Sequence, residues 1–456
     1  MNDITAIFAF LRYCLGYKGD MSRVVAGMDW QELYSFASKQ ALLGLCFDGI
    51  ERLGKEYPEE LKRNPIGREL LMNWMGKAQQ IRRQNMKVNV VAGKLFSMLR
   101  LDGLRCCILK GQGNALMYPN AYSRNPGDVD VWVNVSREQI TEYAKKHFKL
   151  GDDIRYQHIE TSVDGVPVEL HFFPCTMNNP LYHARLQKWF RRNADLQCSH
   201  IVSLPDGAGD IAIPTTAFNV IYQLCHLYHH FFDEGIGMRQ IIDYFLVVND
   251  FSKNVFLNNK SSKITPSLFT LKEGSTSHPD PLTLRGEGGN RPTRCSEPLR
   301  SKDGGPSKVS PDSAGWDRRD AIGDMTSATA STDSSATAAR SSSTAIDRVK
   351  QELKELGLWK FAGGIMYIMQ EVFGMPASRL IVPPNEKYGK FVLNEVLEAG
   401  NFGRHDARNR FGRSKLGHNL QRVYRDIRLV RYFPAEALCE PLFRVWHFFW
   451  RMKNKK

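Results

Sequence analysis

The hydrophobic pattern of this chain changes its period twice along its length, and that change restricts the fold. Up to about Leu101, apolar residues recur every three to four positions, as in amphipathic helices. From Leu104 to about Phe173, short apolar runs and alternating runs predict strands, and helical patterning returns after Pro214. Because both kinds of segment occur in one chain of 456 residues, we predict an α+β protein with a small mixed β-sheet between N- and C-terminal helical regions.

Two helical stretches precede the first predicted strand. Asp29–Glu32 has the spacing of a capping box, and the amphipathic run that follows it continues to about Leu53. A second run over residues 68–101 predicts one long helix that ends at Asp102-Gly103.

The strand signals form a compact group in the middle of the chain. Leu104–Leu109 is nearly all apolar, as a buried strand is, and Asp128–Val135 begins with strict alternation. Ser136–Gln139 has the spacing that caps a following helix. Residues 155–173 predict a hairpin with Asp164-Gly165 at its turn.

We divide the chain into five regions: 1–95 helical, 96–200 an α/β core, 201–250 helical and packed on that core, 251–345 a disordered insertion, and 346–456 helical and basic. The insertion is predicted from composition, since 18 of the 20 residues in 326–345 are Ser, Thr or Ala. Such a segment buries too little apolar area to offset the loss of backbone entropy on folding.

Composition excludes several classes of protein. No uninterrupted apolar run reaches about 18 residues, so we predict no transmembrane segment. The first residues lack the pattern of a signal peptide. Nine dispersed cysteines without a CxxC pair argue against a disulfide framework and a structural zinc site, and they favour a cytoplasmic protein.

Asp128 and Asp130 are the most informative polar residues of the predicted sheet. Side chains alternate along a strand, so both carboxylates face the side opposite Val129. Divalent cations such as Mg²⁺ prefer oxygen ligands of this kind. Glu169 lies mid-strand in the hairpin, and three carboxylates on neighbouring strands can hold two metal ions for displacement at phosphorus. An acid-x-acid triplet alone is weak evidence for a metal site, because an exposed strand edge gives the same pattern.

A Lys-Gly pair, Lys110-Gly111, follows the first predicted strand. Glycine lets the backbone approach a phosphate closely, and lysine supplies a positive charge for it. The pair therefore predicts a phosphate-binding turn near the two aspartates.

Together these motifs carry a family resemblance. The chain has Lys110-Gly111, Tyr118-Pro119, Arg124 and a Gly-Asp-x-Asp motif, followed by a Glu-x-His motif at Glu169 and by "GMRQIIDYFLVV". This combination resembles the uncharacterised nucleotidyltransferase family of the DNA polymerase β-like superfamily, to which the aminoglycoside nucleotidyltransferases also belong. The resemblance extends over about residues 80–250. The usual Gly-Ser turn of the superfamily is Gly111-Gln112 here.

The resemblance implies a nucleotidyltransferase core and a reaction. A nucleoside monophosphate would pass from an NTP, expected to be ATP, to an acceptor hydroxyl with release of pyrophosphate. It implies two Mg²⁺ ions, or Mn²⁺ in their place, bound by the catalytic carboxylates Asp128, Asp130 and Glu169. It implies that the triphosphate is bound by Lys110, Gly111 and Arg124.

Three further residues are candidates for contacting the acceptor or for orienting the metal-binding carboxylates: His171, His226 and Asp243. His171 lies on the carboxylate face of its strand. His226 belongs to a histidine-rich helix, for which hydrogen-bonded structural histidines are the alternative and a zinc site is disfavoured. Asp243 is four residues after Arg239, so a simple pair on a helix surface is its alternative role.

The C-terminal residues 401–456 are strongly basic, with 14 Lys or Arg against 4 Asp or Glu, which accounts for +10 of the net charge of +14. Arginines interleaved with aromatics suit a nucleic acid, and residues 441–456 suit a membrane surface. We favour instead arginines that are solvated or paired with acidic regions elsewhere in the chain, and aromatic residues that pack on the domain.

Three functional hypotheses remain at this point. The favoured one is a metal-dependent nucleotidyltransferase whose acceptor is a small molecule, a protein side chain or an RNA end. The second is a weakly active or inactive relative that binds nucleotide or RNA through its basic tail, and it predicts strongly salt-dependent RNA binding. The third is an interaction protein whose carboxylates hold a structural cation.

Overall fold

Helices precede, flank and follow a four-stranded sheet in the computed structural model of the chain, which describes residues 4–150, 155–257, 345–408 and 415–454. The helices before the sheet are α1 (Ile4–Cys14), α2 (Ser22–Ala26), α3 (Trp30–Lys39), α4 (Leu43–Glu56), α5 (Pro58–Arg63) and α6 (Arg68–Leu101). Those between or directly after its strands are α7 (Gly111–Ala115), α8 (Arg137–His147) and α9 (Pro180–Ser199).

The sheet is small and mixed. Its strands are β1 (Cys106–Leu109), β2 (Val129–Val133), β3 (His158–Val163) and β4 (Val166–His171), in the spatial order β1-β2-β4-β3. β2 runs parallel to β4, whereas β1 with β2 and β3 with β4 are antiparallel. The predicted α+β class, the mixed sheet and the hairpin turn at Asp164-Gly165 are thereby confirmed.

A second group of helices follows the sheet. These helices are α10 (Thr216–Asp233), α11 (Met238–Leu257), α12 (345–355), α13 (Trp359–Phe373), α14 (Glu386–Ala399), α15 (Lys415–Leu429), α16 (Pro434–Ala437) and α17 (Cys439–Asn454).

The two faces of the sheet are buried against different helices. On one face, Ile108 and Val131 belong to a core cluster that includes the second half of α6 and the buried side of α8. On the other face, Trp132 stacks on Phe218 of α10 and meets Phe190 of α9 edge to face. Because β2 alternates, Asp130 shares the side of Trp132, so the carboxylates point towards α10.

The N-terminal helices begin and end largely where the sequence places them. Asp29 caps α3 by accepting a hydrogen bond from the Glu32 backbone, and α6 spans the predicted 68–101. The run predicted to continue from α3 to about Leu53 is wrong as a single helix. It breaks at Gln40–Leu42, where Ala41 has a positive φ of 56°, and the Gln40 side chain contacts α14 and Met238 instead.

Two predicted boundaries need correction. Residues 201–212 begin the region predicted to be helical, but they form a short hairpin of β5 (Ile201–Ser203) and β6 (Asp210–Ala212), because Asp206 and Gly207 adopt the positive φ of a tight turn. α11 continues to Leu257, past the predicted start of the insertion, because Phe251 and Val255 are buried. The rest of the predicted disordered insertion, 258–344, lies outside the described residues.

The aromatic residues of α17 divide between two environments. Phe443 and Trp450 pack around Tyr156. Phe448 and Phe449, by contrast, are 60% and 61% exposed, so the prediction that the tail aromatics pack on the domain is right for one side of α17 only. Within the described residues, every helix is too short or too polar to cross a lipid bilayer.

Replacing Phe449 by serine should therefore leave the free energy of unfolding within about 0.5 kcal/mol of the wild-type value, because little apolar area is lost from the core. Denaturation by urea measures this. Phe433→Ala is the matched control, since that ring is 4% exposed and packs against Tyr228, Phe231 and Phe361. A loss at Phe449 as large as that at Phe433 would contradict the exposed position.

Candidate active site

The parallel pairing of β2 with β4 brings the predicted carboxylates together. Asp130 and Glu169 are direct partners in the register of the two strands, and Asp128 lies just before β2. One ligand oxygen from each of these three residues lies within 4.8 Å of the others. Three carboxylates in such a small space form a set of oxygen donors suited to Mg²⁺ or Mn²⁺.

Two positively charged side chains contact this carboxylate cluster. Lys110 Nζ lies 3.0 Å from Asp130 Oδ2. His171 Nε2 lies 2.9 Å from Asp130 Oδ1 and 3.1 Å from Glu169 Oε2, while its Nδ1 lies 3.2 Å from the carbonyl oxygen of Phe173. Since Nε2 faces two carboxylate oxygens and Nδ1 faces a carbonyl oxygen, the imidazolium is the form that donates to all three of these acceptors.

The charges in the cluster shift one another's pKa values. Repulsion from Asp130 raises the pKa of Asp128 to about 6, and burial adds to the increase. Burial opposes ionisation of Asp130, but Lys110 and His171 hold the pKa of that carboxyl well below its usual range. Burial would lower the pKa of His171, yet its hydrogen bonds to Asp130 and Glu169 raise it to about 9. Asp128 is therefore the carboxylate whose negative charge is least compensated by neighbouring positive groups.

A second group of potential metal ligands overlaps the first. Nitrogen atoms of His158 and His171 and an oxygen of Glu169 also lie within 4.8 Å of one another. Burial lowers the pKa of His158 to about 4, so this imidazole is neutral. His171 Nε2 is hydrogen-bonded to Asp130 and Glu169, and the three carboxylates supply only the oxygen ligands that Mg²⁺ prefers, which favours the three carboxylates as the metal site.

The Lys-Gly turn has an unusual backbone. Lys110 has a φ of 53° and a ψ of −131°, and Gly111 has a φ of 37°. A non-glycine residue in this conformation is strained, and such strain is concentrated at functional sites. The turn directs the Lys110 side chain between Asp130 and His226, whose Nε2 lies 2.7 Å from Nζ. His226 is thus a partner of Lys110.

Arg124 and Asp243 form a buried pair. Arg124 donates from Nε and Nη2 to the two oxygens of Asp243, at 2.9 and 2.8 Å, and Tyr118 donates its hydroxyl to the same carboxylate at 2.7 Å. Arg124 is 4% exposed and Asp243 is 5% exposed. The guanidinium that the family resemblance assigns to the triphosphate is therefore already engaged by Asp243.

The carboxylate cluster, the Lys-Gly turn and the Arg124–Asp243 pair line one cavity of about 550 Å³. Its walls include each of the nine residues predicted from the sequence: Lys110, Gly111, Arg124, Asp128, Asp130, Glu169, His171, His226 and Asp243. A cavity of this size with converging charged groups is typical of a small-molecule site.

A comparison with protein families agrees with this geometry. A family model described as "Uncharacterised nucleotidyltransferase" matches residues 26–265, which is more than half of the chain. The chain belongs to this nucleotidyltransferase family. Searches of the curated proteins and of the solved structures find no match.

The family match extends further towards the N-terminus than the motifs alone indicate. It begins at residue 26, so α3 to α6 are included, whereas the motif resemblance starts at about residue 80. The packing explains this extension, because Gly44 of α4 lies directly against the backbone of Ser123, one residue before Arg124. The N-terminal helices of the nucleotidyltransferase therefore support the loop that carries Arg124.

Several residues that line the nucleotidyltransferase cavity are absent from the sequence-based candidates. They include Arg155, His158, Arg239, Gln240, Phe402 and Arg404. The last two come from a turn in which Phe402 has a φ of 54° and Gly403 a φ of 63°. Gly403 lies so close to the carbonyl of Glu234 that a Cβ atom would clash with it. This close approach brings Phe402 to the cavity, and only the three-dimensional packing shows it.

Proposed function

We propose that this nucleotidyltransferase transfers AMP from ATP to an acceptor hydroxyl, with Mg²⁺ bound by Asp128, Asp130 and Glu169. The observation that supports the proposal most strongly is the cluster of these three carboxylates on one wall of the cavity. A set of oxygen ligands beside a lysine and a large cleft matches the chemistry that phosphoryl substrates require.

The donor set fits such a metal. Asp128 and Asp130 repel each other enough to raise the pKa of Asp128. Lys110 and His171 contact Asp130, but among the described residues neither of them forms an ion pair with Asp128. A divalent cation held by the three oxygens would remove that repulsion. When bound, Mg²⁺ would neutralise charge on the phosphates and favour ionisation of the acceptor hydroxyl.

The protein residues would position the reactants. Lys110 stays protonated, because the charges of Asp130, Asp128 and Glu169 outweigh the effect of burial and raise its pKa. It provides a fixed positive charge for the triphosphate beside the carboxylates. His171 holds two of the carboxylates in place by hydrogen bonds to both. Positioning and electrostatic stabilisation of this kind account for most of the catalysis in phosphoryl transfer.

In the proposed reaction the acceptor oxygen bonds to the α-phosphorus of ATP. The bond from that phosphorus to the bridging oxygen breaks, pyrophosphate leaves, and the hydroxyl proton is released.

The free state of the thiols supports a reducing, cytoplasmic location, since the eight cysteines of the described residues form no disulfide.

Pyrophosphate release with each of the four NTPs tests this function. We expect release with ATP and Mg²⁺, or with Mn²⁺ in its place, in the presence of a pool of small hydroxylated molecules, peptides and RNA. Release should stop when EDTA is added. Equal release in EDTA would contradict the role of the metal, and release with another NTP in preference to ATP would contradict the choice of nucleotide.

A further inference from the structure

Two buried arginines share one carboxylate at the cavity wall formed by α11. Arg239 and Asp243 lie one helical turn apart on α11, and Arg124 approaches from the loop before β2. Arg239 is 8% exposed, and Asp243 and Arg124 are even less exposed. The three side chains therefore bury a net charge of +1.

The two arginines are not equally paired. Arg124 makes two short hydrogen bonds to Asp243. The nearest approach of Arg239 to that carboxylate is 3.8 Å, from Nη1 to Oδ2, which is beyond hydrogen-bonding distance. The Nε of Arg239 is buried and has no hydrogen-bond partner within the described residues. The Phe402 ring lies 5.7 Å from its Cζ and supplies a weaker attraction than an anion would.

A buried cation that has no hydrogen-bonded anion is costly, and it persists where function requires it. Arg239 lines the same cavity as Lys110 and Asp128. α11 also packs against α7, the short helix that begins directly after Lys110. Arg239 and Lys110 therefore line one cavity from neighbouring elements.

We propose that Arg239 binds the polyphosphate chain of the nucleotide and that the bound anion accepts the hydrogen bonds that Asp243, at 3.8 Å, does not accept from Arg239. This inference rests on the proposed function and extends it to a new residue. A guanidinium is suited to this role because it donates to two phosphate oxygens at once. Arg124 then acts as a positioning residue, since it occupies Asp243 and leaves Arg239 free for the ligand.

The first test compares two matched substitutions in the free protein. Arg239→Met removes a buried charge that has no hydrogen-bonded anion among the described residues, so its thermal unfolding midpoint should equal or exceed that of the wild type. Arg124→Met removes the partner of Asp243, so its midpoint should fall. A fall for Arg239→Met as large as that for Arg124→Met would overturn the proposal, because Arg239 would then be a structural partner of Asp243.

The second test measures binding by calorimetry in EDTA, which separates Arg239 from the metal site. Inorganic tripolyphosphate and ATP should bind about 10- to 100-fold more weakly to Arg239→Met than to the wild type, since a charge-assisted hydrogen bond is lost. Adenosine should bind equally to both proteins. Arg239→Lys should recover part of the affinity, because it restores the charge but not the paired donors.

Unchanged binding of both anions to Arg239→Met would overturn the proposal, as would the failure of the wild type to bind either anion. Failure of the proposed function has a different signature. If the anions bind in an Arg239-dependent manner but no pyrophosphate is released with any acceptor, the anion site stands and the transferase reaction does not.

Discussion

Asp128→Asn is expected to reduce pyrophosphate release at least about 10²–10³-fold, a loss typical for the removal of one electrostatic group that stabilises a transition state. It should do so without destabilising the protein. Asp128 is the carboxylate whose pKa is raised by repulsion from Asp130, so its neutral replacement relieves that repulsion. The free energy of unfolding should stay within about 0.5 kcal/mol of the wild-type value or increase.

The matched control is Asp164→Asn, the same substitution at the hairpin turn. Asp164 is paired with exposed Lys94 and has a φ of 49°, which asparagine tolerates. Its activity should equal that of the wild type. Pyrophosphate release by Asp128→Asn at the wild-type rate would contradict the account of the site. So would a large loss of stability, because Asp128 would then hold the fold together.

Asp243→Asn is expected to lower the free energy of unfolding by about 3–5 kcal/mol, as the loss of one partner from a buried ion pair does. Asp243 accepts hydrogen bonds from Tyr118 and from two nitrogens of Arg124. Without its charge, Arg124 and Arg239 would both be buried cations with no anion, and they would repel each other. Urea denaturation monitored by tryptophan fluorescence measures the effect.

Asp250→Asn, on the same helix, is the control. Within the described part of the chain, Asp250 accepts side-chain hydrogen bonds from two uncharged groups, those of Thr216 and Asn254, so its replacement should cost about 1 kcal/mol. Equal losses for the two variants would show that the charge of Asp243 has no special role in the fold.

Local signals in the sequence predicted much of the fold. The caps at Asp29 and Ser136 begin helices where expected, because the capping hydrogen bonds form within three residues. The long helix α6 follows from its apolar period alone. The break between α3 and α4 was missed, since it depends on contacts of Gln40 with α11 and α14, which are about 200 and 350 residues away along the chain.

The site was predictable in part. Alternation along the strands predicts that Asp128 and Asp130 share one face of their strand and that Glu169 and His171 share one face of theirs, as the structure shows. The position of His158 could also be predicted from the sequence, because a two-residue turn at Asp164-Gly165 makes His158 the direct partner of His171. The parallel pairing of β2 with β4 joins residues about 40 positions apart, and no local pattern specifies it.

The arginines show where sequence reasoning fails. The family resemblance assigns Arg124 to the triphosphate, and the four-residue spacing suggests a surface pair for Arg239 and Asp243. In the structure Arg124, from the loop before β2, forms the short ion pair with Asp243. Arg239 makes only a longer contact with Asp243 and lines the cavity. The choice of partner is made in three dimensions, where Asp243 Oδ2 lies 2.8 Å from Arg124 and 3.8 Å from Arg239, and the spacing along the chain does not contain these distances.

The binding of Mn²⁺, followed by electron paramagnetic resonance in the presence of a non-hydrolysable ATP analogue, tests the central claim most directly. We predict that the wild type binds two ions per chain and that Asp128→Asn and Glu169→Gln each lose at least one. Asp164→Asn should bind as the wild type does. Unchanged stoichiometry and affinity in both site variants would contradict the assignment of the metal to these three carboxylates.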